Sequence, residues 1–369
     1  MRKTVRTLVV GLTGILALSL AGTALAAYTP KLTITGASQA LGGPGGIKVK
    51  FQVPQTDDPT AKATFYVPAG YQLSTSGAPA TKLGTSAAAV FAIDLGAVVP
   101  VTGAVEVANP ADFAPQATAC TGTATHSQTW VLRLSAAGTP LAVPVFVDLV
   151  PAASPLAALA SAQLVICLPP PDVPAGTPGR ATLGAKLITA EFTTSAITNP
   201  AAAGEYRWRA TATPYTPGVG TPNAAATVEV QSLVRLPSQV TLRARVRNAP
   251  KRGVSLVTLT GTAPTGATVD LLSGGTAAKV KRFRSLAGGG AITTSLTVKQ
   301  GTKASSLFLL ARARTTDQDL GSAGCTATFV PPLSPFPIPC LAATVGGVTV
   351  SSPVVKVTIP AAPKKKPKR

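Results

Sequence analysis

The chain has 369 residues, 33 basic and 13 acidic side chains, a formal net charge of +20, four cysteines and one histidine. One His, with no Cys at ligand spacing, excludes a sequence-encoded zinc site, and the thinly spread acids show no paired-carboxylate motif. Ala, Thr, Val, Gly and Pro abound without long helical periodicity, so an all-β class is expected, with length for about two domains.

Residues 1–26 read as a signal peptide. Arg2, Lys3 and Arg6 precede an uncharged, mostly apolar run from Thr7 to Leu20, and Ala24-Leu25-Ala26 supplies the small-residue cleavage site. The apolar run is short for a bilayer span, and no Cys follows it to take a lipid. The mature chain is therefore expected to be exported, with no transmembrane segment.

Residues 27–236 are expected to form an N-terminal all-β, sandwich-like domain. Strand patterns occur in "KLTITG", "GIKVKFQV", "AKATFYV", "AAVFAIDL", "AVEVA", "TWVLRL", "VPVFVDLV" and "AKLITAEFTTSA". "EYRWRATAT" places Tyr206, Trp208, Ala210 and Ala212 on one face, and "PYTPGVGTPN" connects it to "ATVEVQSLV" as a long hairpin. "LPPPDVPAGTPGR" (168–180) reads as a polyproline-like connector at which this region could divide in two. "PLAALASAQLVICL" is the one stretch with a possible short helix, against a β-branched end.

Four cysteines in an exported chain read as disulfides. Of the three possible pairings, the local one, Cys120 with Cys167 and Cys325 with Cys340, gives one bridge to each half.

Residues 237–360 carry the strand patterns "VTLRARV", "SLVTLTGTA", "ATVDLL", "KVKRFRSL", "AITTSLTV", "SSLFLLARA" and "PVVKVTI". Seven short strands with closely spaced turn signals predict an immunoglobulin-like sandwich. "LTGTAPTGATVDLL" followed by "GGGAITTSLTV" resembles the bacterial Ig-like modules of secreted and cell-surface proteins, over about 120 residues. That resemblance implies a spacer or binding module. The chain departs from it in the Pro-rich loop between Cys325 and Cys340 and in its charge. Residues 361–369 form a basic tail expected to be disordered.

Charge is unevenly placed. Residues 27–234 hold ten basic and ten acidic groups, whereas residues 235–369 hold twenty basic groups against Asp270, Asp317 and Asp319. Arg243, Arg245 and Arg247 recur at alternate positions, so a strand would project all three from one face. Lys279 with Lys281, and Arg312 with Arg314, repeat the pattern, and Lys364, Lys365, Lys366, Lys368 and Arg369 end the chain. These residues form a candidate polyanion-binding set for an anionic envelope polymer or membrane surface. Every Trp and Tyr lies before residue 216. Without flat polar-edged rings the basic part is not expected to take single-stranded nucleic acid, and the aromatic-bearing N-terminal part is left to meet a protein or glycan partner.

Catalytic signals are weak. His126 in "TATHSQTW" lacks a motif that supplies a nucleophile and an orienting carboxylate; a hydrolase would require a Ser and a carboxylate beside it in a cleft. "DQDLG" (317–321) opens like a calcium loop but lacks the later Glu, so a turn is expected. "GGPGG" and "AGGGA" lack the Lys-Ser/Thr of a phosphate loop. The sequence calls for no cofactor and no metal. The expectation is a secreted, non-enzymatic, envelope-associated protein, with a plain spacer as the alternative.

Overall fold

The computed structural model describes residues 28–136, 138–249, 251, 253–326 and 337–363. The expected signal segment, Arg252 and the tail residues Lys364, Lys365, Lys366, Lys368 and Arg369 lie outside the described residues.

Period-two alternation of apolar and polar residues produces strands through most of the chain. In order they are β1 (Lys31–Gly36), β2 (Ile47–Gln52), β3 (Thr60–Pro68), β4 (Gln72–Leu73), β5 (Lys82–Ala92), β6 (Ala97–Val107), β7 (Gln128–Ala136) and β8 (Thr139–Leu149). Then come β9 (Ala160–Cys167), β10 (Ala185–Thr194), β11 (Ile197–Thr198), β12 (Gly204–Pro214) and β13 (Val228–Leu236). Helix α1 (Ala114–Thr121) lies between β6 and β7. After a cis Leu236–Pro237 bond follow β14 (Thr241–Asn248), β15 (Val254–Ala263), β16 (Thr268–Gly274), β17 (Lys281–Leu286), β18 (Gly290–Lys299) and β19 (Ser305–Arg314). The last are β20 (Gln318–Gly321), β21 (Cys340–Val345), β22 (Thr349–Ser351) and β23 (Val355–Ile359).

One 13-stranded sheet takes the order β1-β2-β10-β5-β6-β7-β8-β9-β3-β12-β13-β21-β20. It curls until β1 meets β13 and β21. The Ile34 amide donates to Ser232 Oγ at 2.9 Å and Thr344 Oγ1 donates to the Leu32 carbonyl at 2.5 Å, so side chains close the seam instead of a backbone ladder. Ile47, Val49 and Phe51 alternate into the interior from β2, and Trp208, Ala210 and Ala212 do so from β12.

The aromatic residues build this core. Trp130 and Trp208 are fully buried, Tyr28, Tyr71 and Tyr215 are nearly so, and Tyr71 meets Trp208 edge-on at 5.2 Å. Phe65 stands edge-on to both Phe51 and Phe192. These rings serve packing. Strands need inward bulk at every second position, and Tyr and Trp supply it.

The possible helix over 155–168 is instead a single 3-10 turn, Pro155–Ala158, followed by β9. β9 is hydrogen-bonded between β8 and β3, with Ala162 and Leu164 turned inward, and pairing on both edges outweighs local helix propensity. The helix lies at Ala114–Thr121, after an Asn109 side chain that accepts from the Ala111 amide.

Both disulfides follow the local pairing, Cys120–Cys167 and Cys325–Cys340. The first ties α1 to the end of β9. Two such bonds belong to an oxidising compartment. Among the described residues no helix is long and apolar enough to cross a membrane.

β4 and β11 pair as a separate two-stranded ribbon, and the strands after β13 other than β20 and β21 form two facing sheets. One is β14-β15-β18; the other is β17-β16-β19, with β22 and β23 both paired to β19. Val257, Leu259, Leu271, Leu309 and Ala311 fill the space between them.

β20 and β21, expected within the C-terminal unit, instead join the first sheet between β19 and β22 in chain order. β21 runs parallel to β13. Contacts that hold this excursion include Lys31 to Asp319 at 2.5 Å, Arg207 to the Gly324 carbonyl at 2.8 Å, and Arg209 to Thr326 at 3.1 Å. Nothing in local sequence separates this excursion from an ordinary loop of the second unit, because its partners lie about one hundred or more residues away.

Candidate anion-binding face

β14 is an edge strand whose alternation is obeyed closely. Leu242 is buried, Ala244 and Val246 are half-buried, and Arg243, Arg245 and Arg247 are all exposed. Residues two apart on a strand lie about 7 Å apart, so the guanidinium bases form a straight row. Their register partners on β15 are Thr260, Thr258 and Leu256, and beyond these on β18 stand Thr293, Ser295 and Thr297. β14, β15 and β18 contain no carboxylate. Among the described residues none of the three arginines makes an ion pair. Lys299 adds a further exposed cation at the end of β18.

The other basic residues lie elsewhere. Arg312 and Arg314 project from β19, in the opposing sheet, so they face away from the β14 row. Lys281 opens β17, and Lys279 stands in the turn before it. The candidate set is therefore split between two outer faces, because chain order sends β14 to one sheet and β17 and β19 to the other. The second face is partly neutralised. Asp270 accepts from Ser285 Oγ at 2.5 Å and from Arg314 at 2.5 Å, with Arg282 at 3.7 Å. The Ser285 hydrogen bond outweighs the opposing effect of burial and, with Arg314 and Arg282 adding to it, holds the Asp270 carboxyl below the usual carboxylate range. Arg282 and its role toward Asp270 escaped the sequence reading, since an extra residue in β17, Phe283, shifts the register with β16 and sets which β17 residue reaches the acid.

His126 has the carboxylate that the sequence could not assign. Its Nδ1 lies 2.9 Å from Asp148, its Nε2 lies 3.1 Å from Thr121 Oγ1, and its ring stacks on Phe146 at 4.9 Å. A cavity of about 400 Å³ borders the group, with Lys62 and Tyr66 on its wall. The neighbouring Ser127 takes no part, since its Oγ accepts from the Leu149 amide. A hydroxyl, an imidazole and a carboxylate in line are the parts of a nucleophilic triad. The setting opposes that chemistry. Thr121 ends α1, and its hydroxyl has the carbonyls of Ala117 and Thr123 in reach as acceptors for its one proton, at 2.9 and 3.0 Å. A helix C-terminus presents negative carbonyl ends, where an oxyanion needs donors. The His side chain is 1% exposed and stacked against Phe146. The group fastens α1 to β8.

Asp317 and Asp319 do not converge as calcium ligands do. Asp317 accepts from the Gly347 amide at 2.8 Å, and Asp319 pairs with Lys31 and accepts from the Gly321 amide. "DQDLG" is thus Asp317 followed by the whole of β20, not a turn.

No model of a known protein family matches the chain, and no curated protein matches it either.

Proposed function

We propose that this is a secreted, non-enzymatic protein held at the cell envelope by salt-sensitive attraction between its basic sandwich face and phosphate-bearing polyanions, as in wall polymers or lipid headgroups. One observation carries the reading: Arg243, Arg245 and Arg247 stand in line, exposed and without ion pairs among the described residues, on a sheet with no carboxylate. Mixed charges would solubilise such a face equally well with less self-repulsion. A one-sign field instead attracts polyanions, at about 1 kcal/mol per cation near an anionic membrane surface.

The domain plan proposed is a signal peptide (1–26), an N-terminal β-unit (27–236), an immunoglobulin-like sandwich (237–360) lending β20 and β21 to its neighbour, and a basic tail (361–369). Strand orders β14-β15-β18 and β17-β16-β19-β22 support the immunoglobulin-like assignment. The test is binding of the full chain to isolated envelopes across a salt series, beside a triple Arg243→Ser, Arg245→Ser, Arg247→Ser variant. Weaker binding and a shallower salt dependence in the variant support the reading. Equal binding of both proteins would leave the arginines as a solubility device on a spacer.

A further inference from the structure

The interior of the first sheet is unevenly filled. Around Trp130, Trp208 and Tyr71 it is tightly packed. Toward the other end, β5 and β10 turn alanines inward: Ala88 faces Ala190 in register, and Ala92 faces Ala185. Side chains this small cannot reach the opposite wall, and a cavity of about 460 Å³ remains, within the range of small-molecule sites. Val90, Val99, Val101, Leu132, Leu134 and Leu187 line it.

Its mouth is apolar as well. Leu141 and Leu183 belong to its lining and are nonetheless 41% and 48% exposed, so they mark the opening. Leu183 holds a φ of +54°, a left-handed conformation that disfavours a branched side chain. The segment 168–184 lies across the opening and is latched there. Arg180 donates two hydrogen bonds to Asp94, at 2.8 and 2.6 Å, and a third to the Val173 carbonyl at 2.7 Å.

We propose that this cavity binds one unbranched acyl chain, with the headgroup left at the Arg180–Asp94 latch. The lining decides the chemistry. Its charged members are engaged elsewhere, Glu191 with Lys48 at 2.6 Å and Arg180 with Asp94, so the enclosed part of the ligand must be uncharged. Inward hydroxyls are few, so it must also manage without hydrogen bonds, which leaves hydrocarbon. The exposed aliphatic rim gives that hydrocarbon a path from an apolar phase. This inference is independent of the anion-binding face, which lies on the other unit.

The experiment is calorimetric titration of the full chain, in high salt, with straight-chain saturated fatty acids of increasing length and, separately, with single-chain phosphatidylcholines. Binding should tighten about fourfold per added methylene and then level off once the lumen is full. Equal slopes in both series assign recognition to the chain, and a slope in one series alone assigns it to that headgroup source. Ala88→Phe should fill the lumen and weaken the longest ligand by about tenfold or more. Should that variant melt early, Leu141→Asp at the exposed rim is the substitute, with a similar loss expected. The triple arginine variant should bind like wild type. Absence of binding at every length, an affinity independent of length, or unchanged binding in a well-folded Ala88→Phe protein would overturn the proposal.

Discussion

Asp270→Asn removes the one carboxylate in the strands of the C-terminal sandwich. Asp270 is 6% exposed and uses one oxygen for Ser285 and the other for Arg314. A shielded hydrogen bond to a charged group contributes about 1.5–3 kcal/mol. Arg282 and Arg314, however, are 63% and 50% exposed, and solvent screening limits such ion pairs to about 0–1 kcal/mol each. Asparagine keeps the shape and one acceptor, so the expected net loss is about 1–3 kcal/mol. The folded carboxyl titrates below its ordinary value. Its contribution is therefore complete above the unfolded value of about 3.9 and disappears as pH falls through the lower folded value. Urea unfolding of wild type and variant should differ at neutral pH and converge in acid. The variant should also gain retention on anionic polymer, since Arg282 and Arg314 lose their counter-charge. A neutral-pH difference under about 0.5 kcal/mol, or one that persists unchanged in acid, would refute this assignment.

Cys325→Ser with Cys340→Ser opens a 15-residue link and should cost about 3 kcal/mol, read by urea unfolding. It should also make the segment between β20 and β21 more sensitive to protease. Gly103→Ala would place its Cβ 1.6 Å from the Arg133 carbonyl oxygen, so β6 and β7 must separate, with a loss of about 1–3 kcal/mol in thermal or urea unfolding. By contrast, the triple Arg243→Ser, Arg245→Ser, Arg247→Ser protein should unfold within about 0.5 kcal/mol of wild type per site, because exposed side chains without partners hold nothing together.

Period-two patterns placed β1 and the β14 row nearly to the residue, since local alternation alone sets which face a side chain takes. The local disulfide pairing was legible for a similar reason: bridges between near neighbours in sequence follow the chain. Long-range features were not. The passage of β21 alongside β13, the seam between β1 and β13, and the meeting of His126 with Asp148 depend on how the sheet curls. The apolar cavity was hidden in a different way. Ala88, Ala92, Ala185 and Ala190 are unremarkable in composition, and their effect emerges only when β5 and β10 pair and present them to the same lumen. The split of the basic residues between two faces likewise needs sheet membership, which alternation cannot supply.

The central claim is that the β14 arginine row is an anion-binding face. Its most direct test is elution of the full-length protein from an immobilised phosphate polymer along a salt gradient. Wild type is set beside the triple arginine variant and a second variant with Lys364, Lys365, Lys366, Lys368 and Arg369 changed to Ser. The account predicts that the triple arginine variant elutes at distinctly lower salt than wild type, even with its tail intact. Elution of that variant together with wild type, while the tail variant alone elutes early, would contradict it.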